Sequence, residues 1–219
     1  MQTLEDNFLN QINQIIDHSK QREQTYICSN VSWDEYEKIL ETLRDVSWCK
    51  ISYLDGVMTI MSPSENHELA KEHIGILLEV YCDEAEIDYY PLGSKTLKQK
   101  DKSSGKEPDA SYCIGKKTQI PDIAIEIIVT SGGIEDLEKY KKLDVKEVWF
   151  WKTDGLEIYS MDNNQYTKND RSTILPQLDI KLLTEYIKKM TKGNPRKLKK
   201  EFAEQIRNQL LINKNNPFS

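Results

Sequence analysis

Histidine is scarce and cysteine scattered. The three histidines are His18, His67 and His73, and the four cysteines are Cys28, Cys49, Cys82 and Cys113, with no CxxC pair. Neither set has the spacing of a zinc site, and the cysteines form no disulfide framework. Long hydrophobic runs are missing as well. Nothing approaches the roughly 18 apolar residues that a membrane span needs. The first residues, MQTLEDNFLN, lack the basic-then-apolar pattern of a leader. These absences argue against zinc chemistry, secretion and membrane insertion. The expectation is a reduced, cytoplasmic protein with no membrane partner.

What is present suggests one domain with appendages, at 219 residues. Charged residues make up 30% of the chain, yet 4 Trp, 11 Tyr and 4 Phe accompany clear apolar runs, so a packed core is expected rather than disorder. Net charge is −6, and it is unevenly spread. From residue 187 onward nine Lys/Arg meet two acids, leaving the first 186 residues at −13. A basic tail on an acidic body suits a nucleic-acid contact, a docking helix or simply a solvated helix face.

Periodicity sketches the elements. A polar helix is predicted over 5–23, with Phe8, Ile12, Ile15 and Ile16 at helical spacing. A second runs from Ser32 to about Arg44, with Glu35 completing a capping box. CKISYLDGVMTIM reads as a hairpin turning at Asp55-Gly56. Residues 64–85 carry a long apolar stripe. IDYYPLG, SKTLKQ and ASYCI read as extended, and DKSSGKEP as a polar loop between them. PDIAIEIIV reads as a strand buried on both faces, ended by Ser131-Gly132-Gly133. A short helix (134–143), EVWFW, the turn Thr153-Asp154-Gly155 and LEIYSM follow. The chain then reads as irregular until STILPQLDIKLLTEYIKK, and a last helix spans about 195–212. The order indicates an α/β or α+β domain on one mixed sheet.

Glu126 is the informative residue, because it sits inside IAIEIIV. A lone buried carboxylate costs several kcal/mol unless it is paired, protonated or bound to metal. A structural ion pair is one reading; a metal ligand is the other. Asp122 shares its strand, but four strand residues span roughly 13 Å, too far for one ion. Asp109, just after Pro108, is the better partner, since neighbouring strands lie about 4.8 Å apart. Alone, it would pass for a turn aspartate. Oxygen-only ligation by two acids points to Mg²⁺ or Mn²⁺, and such ions suit a phosphodiester substrate.

The runs MSPSENHELA, EPDASYCI, IPDIAIEIIVTSGGIEDLEKYKKLDVKEVWFW and STILPQLDIKLL together resemble the Uma-two family of restriction endonucleases, in the branch abundant in cyanobacteria. That family lies within the PD-(D/E)XK nuclease superfamily. The resemblance covers residues 33 to 187. It implies a restriction-endonuclease-like mixed central sheet flanked by helices, here with added N- and C-terminal helices. It makes Asp109 and Glu126 metal ligands, with the Ile127 carbonyl as a third, and His67 and Glu65 accessory residues. The lysine departs: the superfamily signature puts it two residues after the Glu, where this chain has Ile128. The family's lysine, four residues before the tyrosine that matches Tyr140, is Asp136 here. Lys139, one helical turn on, is the substitute candidate, and Lys141 and Lys142 are expected to face solvent. Asp136 itself would either add a ligand or mark a weakened enzyme.

The expectations are therefore these. Residues 1–30 form a helical extension, 31–187 the nuclease-like domain and 188–219 the basic tail. Asp109, Glu126 and Lys139 perform Mg²⁺- or Mn²⁺-dependent hydrolysis of DNA. Residues 188–200 contact DNA, and a homodimer would allow double-strand cutting. The loop 101–107 is a candidate partner surface. The alternatives are a nuclease-like fold that binds nucleic acid or a protein without cutting, and a structural module whose Glu126 is only an ion pair.

Overall fold

Two left-handed residues build the first hairpin. In the computed structural model, which describes residues 24–44, 49–128 and 133–215, Asp55 (φ 46°) and Gly56 (φ 87°) make the turn between β2 (Lys50–Leu54) and β3 (Val57–Ser62). A two-residue turn with positive φ at both positions matches the twist of its strands. β1 (Gln24–Cys28) pairs with β3. On the other side β6 (Ser104–Lys106) pairs with β2, and β5 (Leu97–Gln99) with β6. This sheet is antiparallel, in the order β1-β3-β2-β6-β5. α1 (Trp33–Thr42) begins at the expected capping box: Ser32 Oγ accepts from the Glu35 N–H, and the Ser32 N–H donates to Glu35 at 2.7 Å. It packs Tyr36 onto Ile51, Tyr53, Met58 and Ile60.

The second sheet holds β4 (Tyr89–Pro91), β7 (Ala110–Ile114), β8 (Ile123–Ile127), β9 (Glu147–Lys152), β10 (Gly155–Asp162) and β11 (Gln165–Asn169), in the order β11-β10-β9-β8-β7-β4. Only β8 and β9 run parallel. A parallel pair needs a crossover, which α3 (Asp136–Lys142) supplies. One face of β8 sends Ile123, Ile125 and Ile127 into a core shared with α2 (Glu65–Glu84), α4 (Ile180–Met190) and α5 (Pro195–Asn215). The other sends Ala124 against Tyr140, Leu143, Val148 and Phe150. Strand alternation puts Glu126 on this second face, toward α3.

The chain is a mixed α/β protein, as expected, but its strands divide between two sheets. The segment read as the loop DKSSGKEP contains β6, a buried strand between β2 and β5. Of residues 101–107, Ser104, Gly105 and Lys106 are buried in this strand, while Asp101 stays exposed. β1 falls within the stretch assigned to a helical extension, and β11 lies where irregular chain was expected. The tail helix is docked: Phe202 and Ile206 join the main core. The helix expected at 5–23 and the Ser131-Gly132 turn lie outside the described residues. Among the described residues no helix is long and apolar enough to cross a membrane.

Candidate active site between the sheets

β7 and β8 create the centre of the site. Ala110 faces Ile125, so Asp109, one residue before β7, lies across from Glu126. The Asp109 N–H donates to the Ile125 carbonyl at 3.0 Å. Its carboxylate accepts from the Ile127 N–H at 2.6 Å and from the Lys50 ammonium on β2. His67, in the first turn of α2, places Nε2 3.0 Å from Asp109 Oδ2. Neither ring nitrogen has a hydrogen-bond partner in line with it. The N-cap Ser64 fixes this turn by accepting from the His67 N–H at 3.3 Å. Burial alone would raise the Asp109 pKa; the His67 ring and the Lys50 ammonium overcome it and hold it below the ordinary carboxylate range.

Glu126 is 3% exposed, too little for water to stabilise its charge. Its carboxylate accepts from the Tyr140 hydroxyl on α3 and meets Lys106 Nζ of β6 at 3.2 Å. Burial pushes its pKa up. Lys106 opposes that shift, while the charges of Asp109 and Asp136 add to it, and the net direction is upward. Burial and the neighbouring acids push the Tyr140 hydroxyl up as well, so it stays a hydrogen-bond donor.

Asp136 completes the cluster. It accepts from Lys106 at 2.9 Å and from Lys139 at 2.6 Å. Burial works to raise its pKa, but these two ammoniums hold it down. Lys106 is itself raised: desolvation pulls it down, and Asp136 and Glu126 more than reverse that. Three acids, Asp109, Glu126 and Asp136, thus meet three lysines, Lys50, Lys106 and Lys139.

The structure therefore brings together Asp109, Glu126, His67, Asp136 and the Ile127 backbone. Lys139 is close, but its ammonium binds Asp136 and donates to Ser52 Oγ at 3.1 Å rather than to Glu126 or Asp109. Glu65 is exposed at the start of α2, and no hydrogen bond or ion pair among the described residues links it to either acid. Asp122 sits at the other end of β8, on Lys146 at 2.6 Å and the Ile114 N–H at 2.8 Å. Lys142 is partly exposed and binds Asp55. The reading of sequence missed Lys50 and Lys106. The available signal for Lys106 was its place three residues before Asp109; for Lys50, its place at the root of the hairpin.

Beside Lys50 a cleft of about 490 Å³ opens, walled by Arg44, Glu68, Lys71 and Glu107 among others. Among the described residues no three His, Cys, Asp or Glu side chains surround one point.

The family described as "Putative restriction endonuclease", Uma2, matches residues 33–190, most of the chain. The chain belongs to the Uma2 family. This is the family that the sequence motifs resembled, and the match ends three residues beyond the expected boundary. Among solved structures, "a putative nuclease belonging to DUF820" from Anabaena variabilis is similar at 16% identity, over 63% of this chain and 90% of that one, with a TM-score of 0.43. No curated protein matches.

Proposed function

We propose that this Uma2 protein hydrolyses phosphodiester bonds in DNA, using a divalent cation, Mg²⁺ or Mn²⁺, held by Asp109 and Glu126. One observation carries the reading: two buried carboxylates face each other across β7 and β8, ringed by ammonium groups. The donor set suits such an ion. Asp109 and Glu126 supply only oxygen, and their mutual repulsion, one cause of the raised Glu126 pKa, would be relieved by a cation between them. Mg²⁺ takes one or two protein carboxylates and leaves its other positions to water and substrate, so two acids are enough for it. The Ile127 carbonyl is a further ligand in this reading.

Such an ion, when bound, polarises a phosphoryl oxygen and lowers the pKa of a water. The protein's own groups keep the acids in place. Lys50 and the Ile127 N–H fix Asp109, and Tyr140 fixes Glu126. The reaction consumes one water: its oxygen bonds to phosphorus, the ester P–O bond breaks, and the leaving oxygen ends as a hydroxyl. The lysines donate to the negative charge that builds on the phosphoryl oxygens.

The basic tail is proposed as a backbone contact. The stretch concerned, 188–200, carries seven lysines and arginines, and phosphate contacts of this kind dominate sequence-independent affinity. A homodimer would bring two sites to the two strands. A reducing, cytoplasmic setting suits the free cysteines, of which Cys49, Cys82 and Cys113 are buried.

A second reading, binding without cutting, is favoured by the charge balance of the site, where each acid already has a lysine. Nicking of supercoiled plasmid in Mg²⁺ and Mn²⁺ separates the two. Cleavage by wild type, absent in Asp109→Ala and Glu126→Ala, is the expected result. Folded proteins that leave the plasmid intact in both metals would favour the binder.

A further inference from the structure

We propose that Lys106, delivered from β6, is the ammonium group that acts on the phosphate in this site, and that Asp136 is the residue that positions it. The inference rests on the nuclease reading and names the lysine that reading needs. Three lysines surround the acids, and their contacts separate them. Lys50 neutralises Asp109 from the cleft side. Lys139 spans Asp136 and Ser52. Lys106 alone meets Glu126, at 3.2 Å, and it does so while bound to Asp136 at 2.9 Å.

Its backbone explains why it can hold that position. Lys106 pairs with both Ser52 and Leu97, so its strand is fixed from two sides. Gly105, the residue before it, lies flat against Tyr36, and a Cβ there would collide with the Tyr36 hydroxyl. Ser104 Oγ donates to the Lys139 carbonyl at 3.2 Å, tying β6 to α3. A four-carbon side chain rooted in a strand this constrained loses less on ordering than one on a surface helix. Asp136 then sets its reach. An acid at this position acts as the clamp for a lysine that arrives from the other sheet. Because the Lys106 nitrogen touches both Asp136 and Glu126, a lysine rooted at 136 would start beside the same carboxylate.

The test uses three variants of the full chain, with plasmid nicking and the Mn²⁺-induced rise in melting temperature as separate readouts. Lys106→Met should nick about a hundredfold more slowly than wild type. It should keep a Mn²⁺ shift at least as large as wild type, because the ammonium no longer competes for Glu126. The double variant Lys106→Met/Asp136→Lys should recover about tenfold or more of that loss. Lys106→Arg preserves the counter-charge and so the fold should Lys106→Met fail to fold; it should lose about tenfold in nicking with the Mn²⁺ shift intact. Nicking by Lys106→Met within about threefold of wild type overturns the assignment. So does loss of its Mn²⁺ shift, which would make Lys106 a structural counter-ion. A double variant no better than the single one overturns the clamp. Wild type that nicks nothing in any metal overturns the nuclease reading, and this assignment with it.

Discussion

Glu126 on β8 and Glu147 on β9 are buried glutamates on neighbouring strands of one sheet, and they are held in opposite ways. Glu147 accepts only from uncharged donors: Trp149 Nε1 at 2.9 Å, Ser160 Oγ at 2.9 Å, Ser172 Oγ at 2.7 Å, and Thr173 through both its N–H and its hydroxyl. The Ile174 N–H adds a longer bond at 3.3 Å. The donors on Trp149, Ser160 and Ser172 are on buried side chains, and the carboxylate ties the chain at 172–174 to the sheet. Glu126 has a single hydroxyl and a lysine shared with Asp136, and it faces two other acids. A saturated carboxylate is finished by its own chain. One held by a shared lysine and repelled by its neighbours keeps unmet charge, which is what the proposed cation would answer. Burial alone does not distinguish a staple from a site; the kind of partner does.

The first way to break this comparison is to remove the staple. Glu147→Ala orphans three donors on buried residues, Trp149, Ser160 and Ser172, with others at Thr173 and Ile174, and should cost about 3–5 kcal/mol in urea unfolding. A loss under about 1 kcal/mol would show that the 172–174 segment holds itself. The surviving folded fraction should still respond to Mn²⁺.

Tyr140→Phe comes next. It deletes the one hydroxyl on Glu126 and should cost about 1–2 kcal/mol of stability, with plasmid nicking slowed on the order of tenfold. Unchanged nicking would mean that Glu126 needs no orientation from α3.

The pH profile sharpens the contrast. The raised Glu126 keeps an extra proton in the fold between the ordinary carboxylate range and neutrality. Its contribution therefore makes stability fall as pH rises through that window. Asp109 and Asp136, whose pKa values are lowered, do the reverse: their contribution is present above the ordinary range and is lost as pH falls through their depressed values. Glu126→Gln should abolish the first slope, worth on the order of 1–2 kcal/mol, and leave the second. Unfolding in chelator at about pH 5 and about pH 8 measures it. An unchanged slope in Glu126→Gln would assign the titration elsewhere. Smallest of all is the partly exposed Lys142–Asp55 pair: Lys142→Ala should shift stability by less than about 1 kcal/mol.

Much of this was legible in the sequence where the signal is local. The Asp55-Gly56 turn, the Ser32 capping box and the buried run around Glu126 each announce themselves within a few residues, and Asp109 followed once strand spacing was considered. Lys106 was not legible, because its strand is three residues of Ser, Gly and Lys. Such residues have little β propensity, and β6 is held between β5 and β2, the latter some fifty residues earlier. The same holds for β1, whose partner β3 is distant in sequence. Lys139 was drawn in by helical proximity to the expected lysine position, and the pairing of Asp136 with both lysines depends on two sheets meeting, which no periodicity reveals.

The most direct test is a calorimetric Mn²⁺ titration of wild type, Glu126→Gln and Glu147→Gln at about pH 8. The account predicts that Glu126→Gln loses the binding and that Glu147→Gln, although less stable, retains it. Binding that survives Glu126→Gln, or disappears only with Glu147→Gln, would contradict it.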